Sequence, residues 1–512
     1  MSQPKKIIIV GGGTAGWMTA SLLHKAWGNK STEILLIESD VIAKIGVGEG
    51  STPALKLFFE HLNITEQEWM PYCSATYKCG ISFPNWSEKP GFKSYIHPFY
   101  SQADSKAGNA FIHNAKLRRN GLDVDSHPDK FWVQTSLAKA FKSPISKEQL
   151  TNKMDYGYHF DSALVGQFLK NRLVNLGIKH LVDTVTEVKL TDTGEIKSLL
   201  TKNNDVQHAD LFIDCTGFSA ELISKALNVN FIDYKDSLFN DRAIAIQSSI
   251  DVNSPIPSQT TSSALSSGWA WSIPLSNRYG NGYVYSSKYI SDANAETELR
   301  QHIGSSCNDF PARVLHMKLG RVEKHWHKNV LAVGLSQGFI EPLEATALML
   351  IQHTVENFIN SFDEMITEST YLERQQDTFN NYINEVFENI KDYIVAHYRV
   401  NSRTDSQYWI DNRNNTNIST RLTALLAAWD LGGEHFEAAL DEHQAELTYF
   451  APSWYCLFAG KGRFPEILTK PKPDTIIAPS EQVFDYCQKV KEHFIDHRLQ
   501  LKSLYGEQWS GK

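Results

Sequence analysis

The sequence contains no long apolar run and no excess of positive charge. A membrane-spanning helix needs about 20 consecutive apolar residues, and no such run occurs among the 512 residues. The formal net charge is −8, without a basic stripe to offset it. Because nucleic-acid surfaces attract clustered lysine and arginine, the composition predicts neither a membrane nor a nucleic acid as a partner.

The chain also has few cysteines, and they are not paired at metal-binding spacings. The six cysteines lie far apart in the sequence, at 73, 79, 215, 307, 456 and 487. No signal peptide precedes the first apolar run, so we expect reduced thiols in a cytoplasmic protein. We predict no metal site, and two nearby histidines, His325 and His327, do not suffice for one.

What the chain does have is a strand, a glycine turn and a helix in immediate succession at its beginning. The apolar run Lys6–Val10 leads into Gly11-x-Gly13-x-x-Gly16. Such glycines let a backbone approach a pyrophosphate, and the following helix directs its N-terminal amides at it. A second apolar run ends in Glu38, where a carboxylate would bind a ribose hydroxyl. Residues 6–38 therefore predict a dinucleotide site.

Further along, the apolar periodicity predicts strands and helices in alternation. Residues 74–83 alternate as one strand, with Lys78 on its polar face beside small residues. Residues 241–250 and 268–290 predict an antiparallel sheet, with Gly280-Asn281-Gly282 as a turn. A buried strand at 330–334 precedes a long helix that we expect to begin at Pro342.

These patterns predict an α/β protein, in which a Rossmann-type fold carries an inserted antiparallel sheet and a largely helical C-terminal part. We expect residues 1–360 to form the nucleotide-binding core, with a substrate-lining insertion at about 88–155. Residues 361–512 are expected to form a mainly helical region that completes the substrate pocket. The sequence has one glycine fingerprint and no second nucleotide-binding fold.

Four segments resemble, in the same order, those of the flavin-dependent tryptophan halogenases, and the resemblance covers nearly the whole chain. They are GGGTAGW at 11–17, ATYKCGISFPNW at 75–86, W-x-W-x-I-P at 269–274 and GFIEPLEATAL at 338–348. The resemblance implies an FAD-binding fold. It also implies that reduced FAD comes from a separate flavin reductase, in keeping with the single glycine fingerprint.

The resemblance assigns the catalytic roles to Lys78 and Glu344. Lys78 would hydrogen-bond hypohalous acid, or form a haloamine with it, beside an aromatic substrate. Glu344 would polarise the acid or take the proton from the halogenated ring. From the pattern alone, Lys78 would be a solvated lysine and Glu344 a first-turn acid that complements the helix dipole. Glu341 is the weaker candidate for this role.

The resemblance also implies two sets of binding residues near the flavin. The FAD contacts are expected at Gly11, Gly13, Thr14, Ala15, Gly16, Glu38, Gly48, Val185, Gly334, Leu335 and Leu348. The halide is expected at the backbone amides of Thr346 and Ala347. Here the chain reads E-A-T-A, where the tryptophan enzymes typically read E-S-T-G, and an alanine keeps this geometry only if its φ is negative.

The remaining expectations concern the tunnel and the substrate pocket. Trp269, Trp271, Ile273 and Pro274 would form a wall between flavin and substrate. His97, Phe99, Tyr449, Ser453 and Trp454 would surround an indole ring. Tyr449, Ser453 and Gln444 depart from the residues that grip the amino-acid head in the tryptophan enzymes. These departures from the family pattern favour an indole-type aromatic substrate over free tryptophan.

Taken together, the sequence predicts a halogenase that uses FADH2, O2 and chloride or bromide. The resemblance also allows a homodimer. One alternative is a flavin-dependent monooxygenase that hydroxylates an aromatic compound, although the W-x-W-x-I-P segment and the Lys78/Glu344 pair count against it. The other alternative is a non-catalytic FAD-binding protein, for which the intact tunnel residues would have no use.

Overall fold

The computed structural model describes residues 3–28, 32–40, 48–148, 154–203, 205–368, 371–443, 448–466 and 469–509. Its strands are β1 (Lys6–Val10), β2 (Glu33–Glu38), β3 (Gly48–Gly50), β4 (Thr76–Lys78), β5 (Gly80–Ser82), β6 (Ile96–Pro98), β7 (Lys142–Ser146), β8 (Gly157–Asp161), β9 (Lys179–Val182), β10 (Val185–Leu190), β11 (Ile196–Thr201), β12 (Val206–Gln207), β13 (Leu211–Asp214), β14 (Phe231–Asp233), β15 (Arg242–Ser248), β16 (Gln259–Leu265), β17 (Gly268–Pro274), β18 (Tyr279–Tyr285), β19 (Arg313–His316), β20 (Gly320–Val322), β21 (Trp326–His327), β22 (Val330–Ala332), β23 (Gly338–Phe339) and β24 (Phe494–Asp496).

Its α-helices are α1 (Thr14–Trp27), α2 (Ala54–His61), α3 (Glu66–Trp69), α4 (Ser105–Arg119), α5 (Val133–Lys139), α6 (Ser162–Asn175), α7 (Asp292–Ile303), α8 (Ala347–Glu368), α9 (Leu372–Arg399), α10 (Gln407–Asn414), α11 (Thr420–Leu431), α12 (His435–Glu442), α13 (Ala451–Gly460), α14 (Ser480–Lys491) and α15 (His497–Tyr505). None of the helices in these described ranges is long and apolar enough to cross a membrane.

The nucleotide-binding layer is a mostly parallel sheet with β1 near its centre. The strand order is β21-β22-β13-β1-β2-β9, and β1 pairs in parallel with both β13 and β2. Residues 7–10 of β1 are all buried, as expected for a strand that is covered on both faces. The Rossmann-type fold predicted from the sequence is confirmed.

A seven-stranded sheet, β19-β15-β18-β17-β16-β5-β6, forms the inserted layer. Its β17 and β18 pair in antiparallel register, as predicted, but the turn between them lies at 275–278, where Leu275 N–H donates to Arg278 O. The predicted turn at 280–282 is wrong, because these residues belong to β18. A Cβ on Gly282 would lie 2.1 Å from the Trp271 ring, so this glycine makes room for a tryptophan.

The alternating segment at 74–83 forms two short strands instead of one. β4 pairs with β8, whereas β5 joins the seven-stranded sheet, and between them Cys79 N–H donates to Ser258 O. The segment passes from one sheet to the other, so both of its faces are covered. Lys78, which alternation placed on a polar face, has no exposed surface.

Helices dominate the chain from α8 onwards, and the predicted boundary at residue 360 falls inside α8. The long helix does not begin at Pro342 as predicted. Pro342–Glu344 form a single 3₁₀ turn, Ala345 then adopts a left-handed conformation with φ of 57°, and α8 starts at Ala347. The left-handed residue interrupts the helix, because a run of right-handed residues cannot pass through it.

Candidate active site

The glycine turn after β1 has the shape that a pyrophosphate requires. Gly11 has φ of 117°, and a Cβ there would lie 2.1 Å from Cys215 O. A Cβ on Gly16 would lie 1.9 Å from Gly11 O, so only glycine permits this contact between turn and helix. A Cβ on Gly13 would meet nothing within 4 Å, and this residue caps the N-terminus of α1. This open cradle of backbone amides fits the diphosphate of FAD.

Other predicted FAD residues lie around the start of α1. Thr14 Oγ1 donates to Ser162 O at 2.8 Å, which ties the helix to α6. A Cβ on Gly334 would lie 2.8 Å from the Cβ of Ala15, so the 3₁₀ turn that contains Gly334 and Leu335 rests against α1. The turn after β22 and the turn after β1 therefore meet at the same edge of the parallel sheet.

Glu38, at the end of β2, is buried and lies over the glycine turn. Its Oε2 is 3.0 Å from His180 Nε2 and 3.3 Å from Lys170 Nζ. A Cβ on Gly12 would lie 2.3 Å from the Glu38 carboxyl carbon. Val185 lies two residues after Asp183, whose N–H donates to Glu38 O. The carboxylate thus lies beside the glycine turn, with a lysine and a histidine next to it.

Strand β17 contacts both Gly48 of β3 and the strand that carries Lys78. A Cβ on Gly48 would lie 3.4 Å from the Ile273 side chain, and Pro274 O accepts a hydrogen bond of 2.7 Å from Thr76 Oγ1. Trp269 and Trp271 are buried on the same strand, with ring centroids 6.2 Å apart. The four residues that were predicted to separate flavin from substrate therefore form one continuous strip.

Glu341, the weaker catalytic candidate from the sequence, has a different set of contacts. Its Oε2 accepts from Trp269 Nε1 at 3.1 Å, from Asn240 Nδ2 at 2.9 Å and from the Tyr398 hydroxyl. Burial raises the pKa of this carboxyl. These hydrogen bonds favour a role for Glu341 in holding the Trp269 ring.

Lys78 is the buried lysine of the site. Its Nζ donates to Ser51 O at 3.1 Å and lies 5.3 Å from the centre of the Phe99 ring. Burial lowers the pKa of Lys78 to about 7, although the Glu344 carboxylate partly opposes this shift. An amine with this pKa can be present as either ammonium or free amine near neutral pH.

A histidine that the sequence reasoning missed lies beside Lys78. A Cβ on Gly50 would lie 3.0 Å from Lys78 Nζ, 3.3 Å from Thr260 Oγ1 and 3.6 Å from a His159 ring carbon. Because the Thr76 hydroxyl donates to Pro274 O, it must accept from His159 Nδ1. His159 Nε2 then accepts from Thr260 Oγ1, 3.0 Å away.

Glu344 has two histidine partners. Its Oε1 lies 2.8 Å from His397 Nε2 and 3.5 Å from His97 Nδ1. Burial alone would raise the pKa of this carboxyl, but the nearby His97 and the hydrogen bonds from both histidines outweigh it and bring the pKa to about 2. Glu344 is therefore a buried carboxylate at neutral pH.

A second buried lysine completes this cluster. Lys461 Nζ donates to His397 O at 2.7 Å and lies 3.2 Å from His397 Nδ1. The sequence reasoning missed both residues. The only local signal was a lysine at the end of the apolar run 454–460, since the partners are 53 and 64 residues apart along the chain.

The predicted substrate residues lie close to the Lys78 and Glu344 side chains. His97 of β6 reaches Glu344, and Phe99, which follows the end of β6, reaches Lys78. Tyr449 stacks on Tyr393 with ring centroids 3.7 Å apart, and Tyr393 in turn meets the edge of Trp454 and donates to Ser453 O. Gln444 lies outside the described residues.

The predicted halide segment follows Glu344 directly. Ala345 is the residue with positive φ, whereas Ala347 is not among the described residues of this kind. An alanine at 347 is therefore compatible with the backbone. Within the described chain, no carbonyl accepts from the N–H groups of Thr346, Ala347 or Leu348. Among the described residues no group of three potential metal ligands occurs.

Comparisons with known proteins agree with one another. The family model described as tryptophan halogenase matches residues 6–472. Tryptophan 6-halogenase SttH of Streptomyces toxytricini is 37% identical over 435 residues, which is 80% of this chain and 81% of the relative. The crystal structure of that enzyme superposes with a TM-score of 0.84 and 33% identity, over 98% of this chain and 100% of the other. BrvH, a flavin-dependent halogenase from Brevundimonas sp. BAL3, gives 0.84 and 28%, over 98% and 99%.

Proposed function

The chain belongs to the tryptophan halogenase family of flavin-dependent enzymes, and from this premise we propose that it halogenates an indole-type aromatic substrate with hypohalous acid. Bound reduced FAD, delivered by a separate flavin reductase, supplies this acid from O2 and chloride or bromide. A separate reductase is favoured by the single glycine fingerprint in the sequence. Gly11, Gly13 and Gly16 would hold the FAD diphosphate.

One observation carries the proposal. A buried lysine and a buried carboxylate lie near enough for the Glu344 charge to act on Lys78, and one segment places a ring beside each, Phe99 by Lys78 and His97 by Glu344. Lysine and glutamate are almost never fully buried without a partner or a task, and perturbed pairs of this kind cluster at functional sites. An aromatic substrate between them would meet a hydrogen-bond donor and a proton acceptor.

The proposed chemistry uses these two groups in turn. Lys78 hydrogen-bonds the oxygen of hypohalous acid, which makes the halogen more electrophilic, and the halogen bonds to a ring carbon of the substrate. The oxygen leaves as hydroxide and is protonated to water. Glu344 takes the proton from the same ring carbon and restores aromaticity. The sum is ArH + HOX → ArX + H2O.

Strand β17 is proposed as the wall that keeps the substrate from the flavin. Trp269 and Trp271 are buried side by side on it, next to Gly48 of the cofactor loop through Ile273. The small acid could pass where an indole could not. This arrangement favours halogenation over the direct hydroxylation that a monooxygenase performs.

The test is product analysis with purified protein, a flavin reductase, NADH, FAD, O2 and a panel of indoles and phenols in bromide or chloride. Mass spectrometry should detect a halogenated product only when the reductase is present. Lys78→Ala should still oxidise reduced FAD but lose product by at least about 100-fold, whereas Lys56→Ala, which removes a lysine over the Tyr156 ring, should behave as the wild type. Hydroxylated products would instead support a monooxygenase, and no product from any arene would support a non-catalytic FAD protein.

A further inference from the structure

Lys461 is a buried lysine that no carboxylate of the described residues contacts directly. It is 1% exposed, follows the end of α13 and lies 4.1 Å above the Trp86 ring. Among the described residues, no carboxylate oxygen lies within 4.0 Å of its Nζ. Within the described chain, both hydrogen bonds of its Nζ go to His397, one to the carbonyl and one to Nδ1. Burial of such a group is costly unless the site uses it.

The ring of His397 is fixed from several sides. Its Nε2 lies 2.8 Å from Glu344 Oε1, its centroid lies 4.8 Å from that of Phe83 and 5.4 Å from that of Tyr393. A neutral imidazole has one N–H donor and one acceptor nitrogen. The carboxylate accepts only, so Nε2 must carry the hydrogen and Nδ1 must accept. Lys461 supplies the donor that Nδ1 requires.

We propose that Lys461 is a positioning residue for halogenation, which holds His397 in the tautomer that donates from Nε2 to Glu344. This inference rests on the proposed function, in which the Glu344 carboxylate takes the proton from the substrate ring. Lys461 touches neither substrate nor cofactor in this scheme. It acts through His397, as an outer partner fixes the tautomer of a histidine in other sites.

Lys461 can donate this hydrogen bond as an ammonium or as an amine, and burial lowers its pKa well below the usual value. Burial lowers the pKa of His397 to about 3, with the nearby Lys461 as the next cause. Without this lysine, Nδ1 would be free to bind a proton, and His397 would become a cation against Glu344. A cation at this distance stabilises the ionised carboxylate further, so Glu344 would be a weaker base.

Other titratable groups also face this carboxylate, and they remain in place when Lys461 is changed. They come from β4, β6, α9 and α13 and the segments beside them: Lys78, Tyr95, His97, Tyr393, Tyr449 and Cys456. The pH dependence of a Lys461 variant must therefore be compared with that of a matched variant, and not interpreted by itself.

The experiment compares Lys461→Met with Lys89→Met. Lys89 Nζ donates to Gly462 O at 2.7 Å, in the same turn, but does not touch His397. With the best indole found for the wild type, we expect kcat of Lys461→Met to fall about 10- to 100-fold, as for loss of a charge-assisted hydrogen bond. KM should stay within about threefold, since Lys461 does not touch the substrate. Lys89→Met should keep both constants.

A readout independent of activity uses proteins labelled with ¹⁵N-histidine, with His397 identified by its loss in His397→Gln. In the wild type and in Lys89→Met, His397 should carry its hydrogen on Nε2 from pH 5 to 8. In Lys461→Met, Nδ1 should bind a proton at a higher pH than in the wild type, and the halogenation rate should fall as the pH decreases through that point. Lys461→Gln, which keeps a donor without the charge, should retain the tautomer and serves if Lys461→Met does not fold.

Two results would overturn the proposal. One is a wild-type His397 with its hydrogen on Nδ1 at pH 7. The other is a folded Lys461→Met protein with wild-type kcat, pH profile and tautomer. If the wild type halogenates nothing, the proposed function fails, while the NMR comparison still decides whether Lys461 sets the tautomer of His397.

Discussion

The indole N–H of Trp269 donates to Oε2 of Glu341 at 3.1 Å, and both side chains are buried. The same oxygen accepts from Asn240 and Tyr398. One carboxylate thus joins β17 to the start of the Glu344 segment and to α9. Buried networks of this kind are rigid when every donor has its acceptor. Trp269 is therefore held by Glu341, which lies three residues before the proposed base, Glu344.

Replacing Glu341 should loosen this wall. Glu341→Met removes the acceptor of three buried donors, each of which costs about 1–3 kcal/mol when left unpaired. We expect a lower melting temperature and more reduced FAD consumed per halogenated product. Glu341→Gln keeps an acceptor oxygen and is the control. Equal coupling of FAD oxidation to halogenation in wild type and Glu341→Met would show that the anchor does not matter.

The pKa of Lys78 predicts a limb in the pH profile. Burial brings this pKa to about 7, and the ammonium form is the better hydrogen-bond donor to hypohalous acid. We therefore expect halogenation per FAD oxidised to fall as pH rises through about 7 to 8. The measurement is product yield at constant reduced FAD between pH 5.5 and 9. A yield that rises through the same window would favour a haloamine, which requires the free amine.

The same buried lysine should cost stability. The pKa of Lys78 in the folded chain lies below the usual value of 10.5, so between pH 7 and 10.5 the unfolded chain binds more protons and the wild type gains stability as pH rises. Lys78→Met removes this penalty. The variant should be more stable by several kcal/mol at pH 6 (roughly 1.4 kcal/mol per pKa unit), and the advantage should shrink by pH 9. Denaturant titrations at both pH values check the sign.

Ala345 lies in the left-handed region with φ of 57°. An alanine there is strained by about 1–2 kcal/mol, whereas glycine adopts this conformation freely. Ala345→Gly should raise the free energy of unfolding by about 1 kcal/mol and leave the ratio of brominated to chlorinated product unchanged. A matched substitution, Ala347→Gly, should destabilise instead, because it places a glycine in the first turn of α8. Thermal melts and a bromide–chloride competition provide both readouts.

The substrate pocket predicts little preference for an amino-acid head. A charge-assisted hydrogen bond to a buried group contributes about 1.5–3 kcal/mol, so an enzyme that lacks one loses about 10- to 150-fold in selectivity. Gln444 carries no charge, and the carbonyl of Ser453 is already bonded to Tyr393. Indole should therefore be halogenated at least as efficiently as tryptophan when both compete in one vessel. A strong preference for tryptophan would contradict this.

Local chemistry was enough to predict the nucleotide-binding part of the fold. Gly11, Gly13 and Gly16 act within one turn, and the apolar run before them needs no distant partner to be recognised. The predicted turn at 280–282 was wrong because its two glycines make room for distant groups, Gly282 for the Trp271 ring and Gly280 for the backbone of Gly48. The sequence alone does not distinguish a glycine that allows a turn from one that makes room for a neighbouring group.

Family resemblance singled out Lys78 and Glu344 as the proposed catalytic pair, but it did not predict the residues that surround them. The backbone passes between two sheets at Cys79, and this crossing is what buries Lys78. His397 belongs to a 28-residue helix whose other residues carry no motif. Lys461 resembles any lysine after a helix until its contact with His397 is known. These contacts join residues that are far apart along the chain, so a single sequence does not reveal them.

Strand β17 also bears on how such an enzyme can change its substrate. Ile273 of this strand contacts Gly48 of β3, and Pro274 O accepts a hydrogen bond from Thr76 of the strand that carries Lys78. A substitution there disturbs both at once. Three rings lie away from those contacts: Tyr393 on α9, Tyr449 just before α13 and Trp454 on α13. Substitutions of these three rings should therefore leave the contacts of β17 with Gly48 and with the Lys78 strand in place.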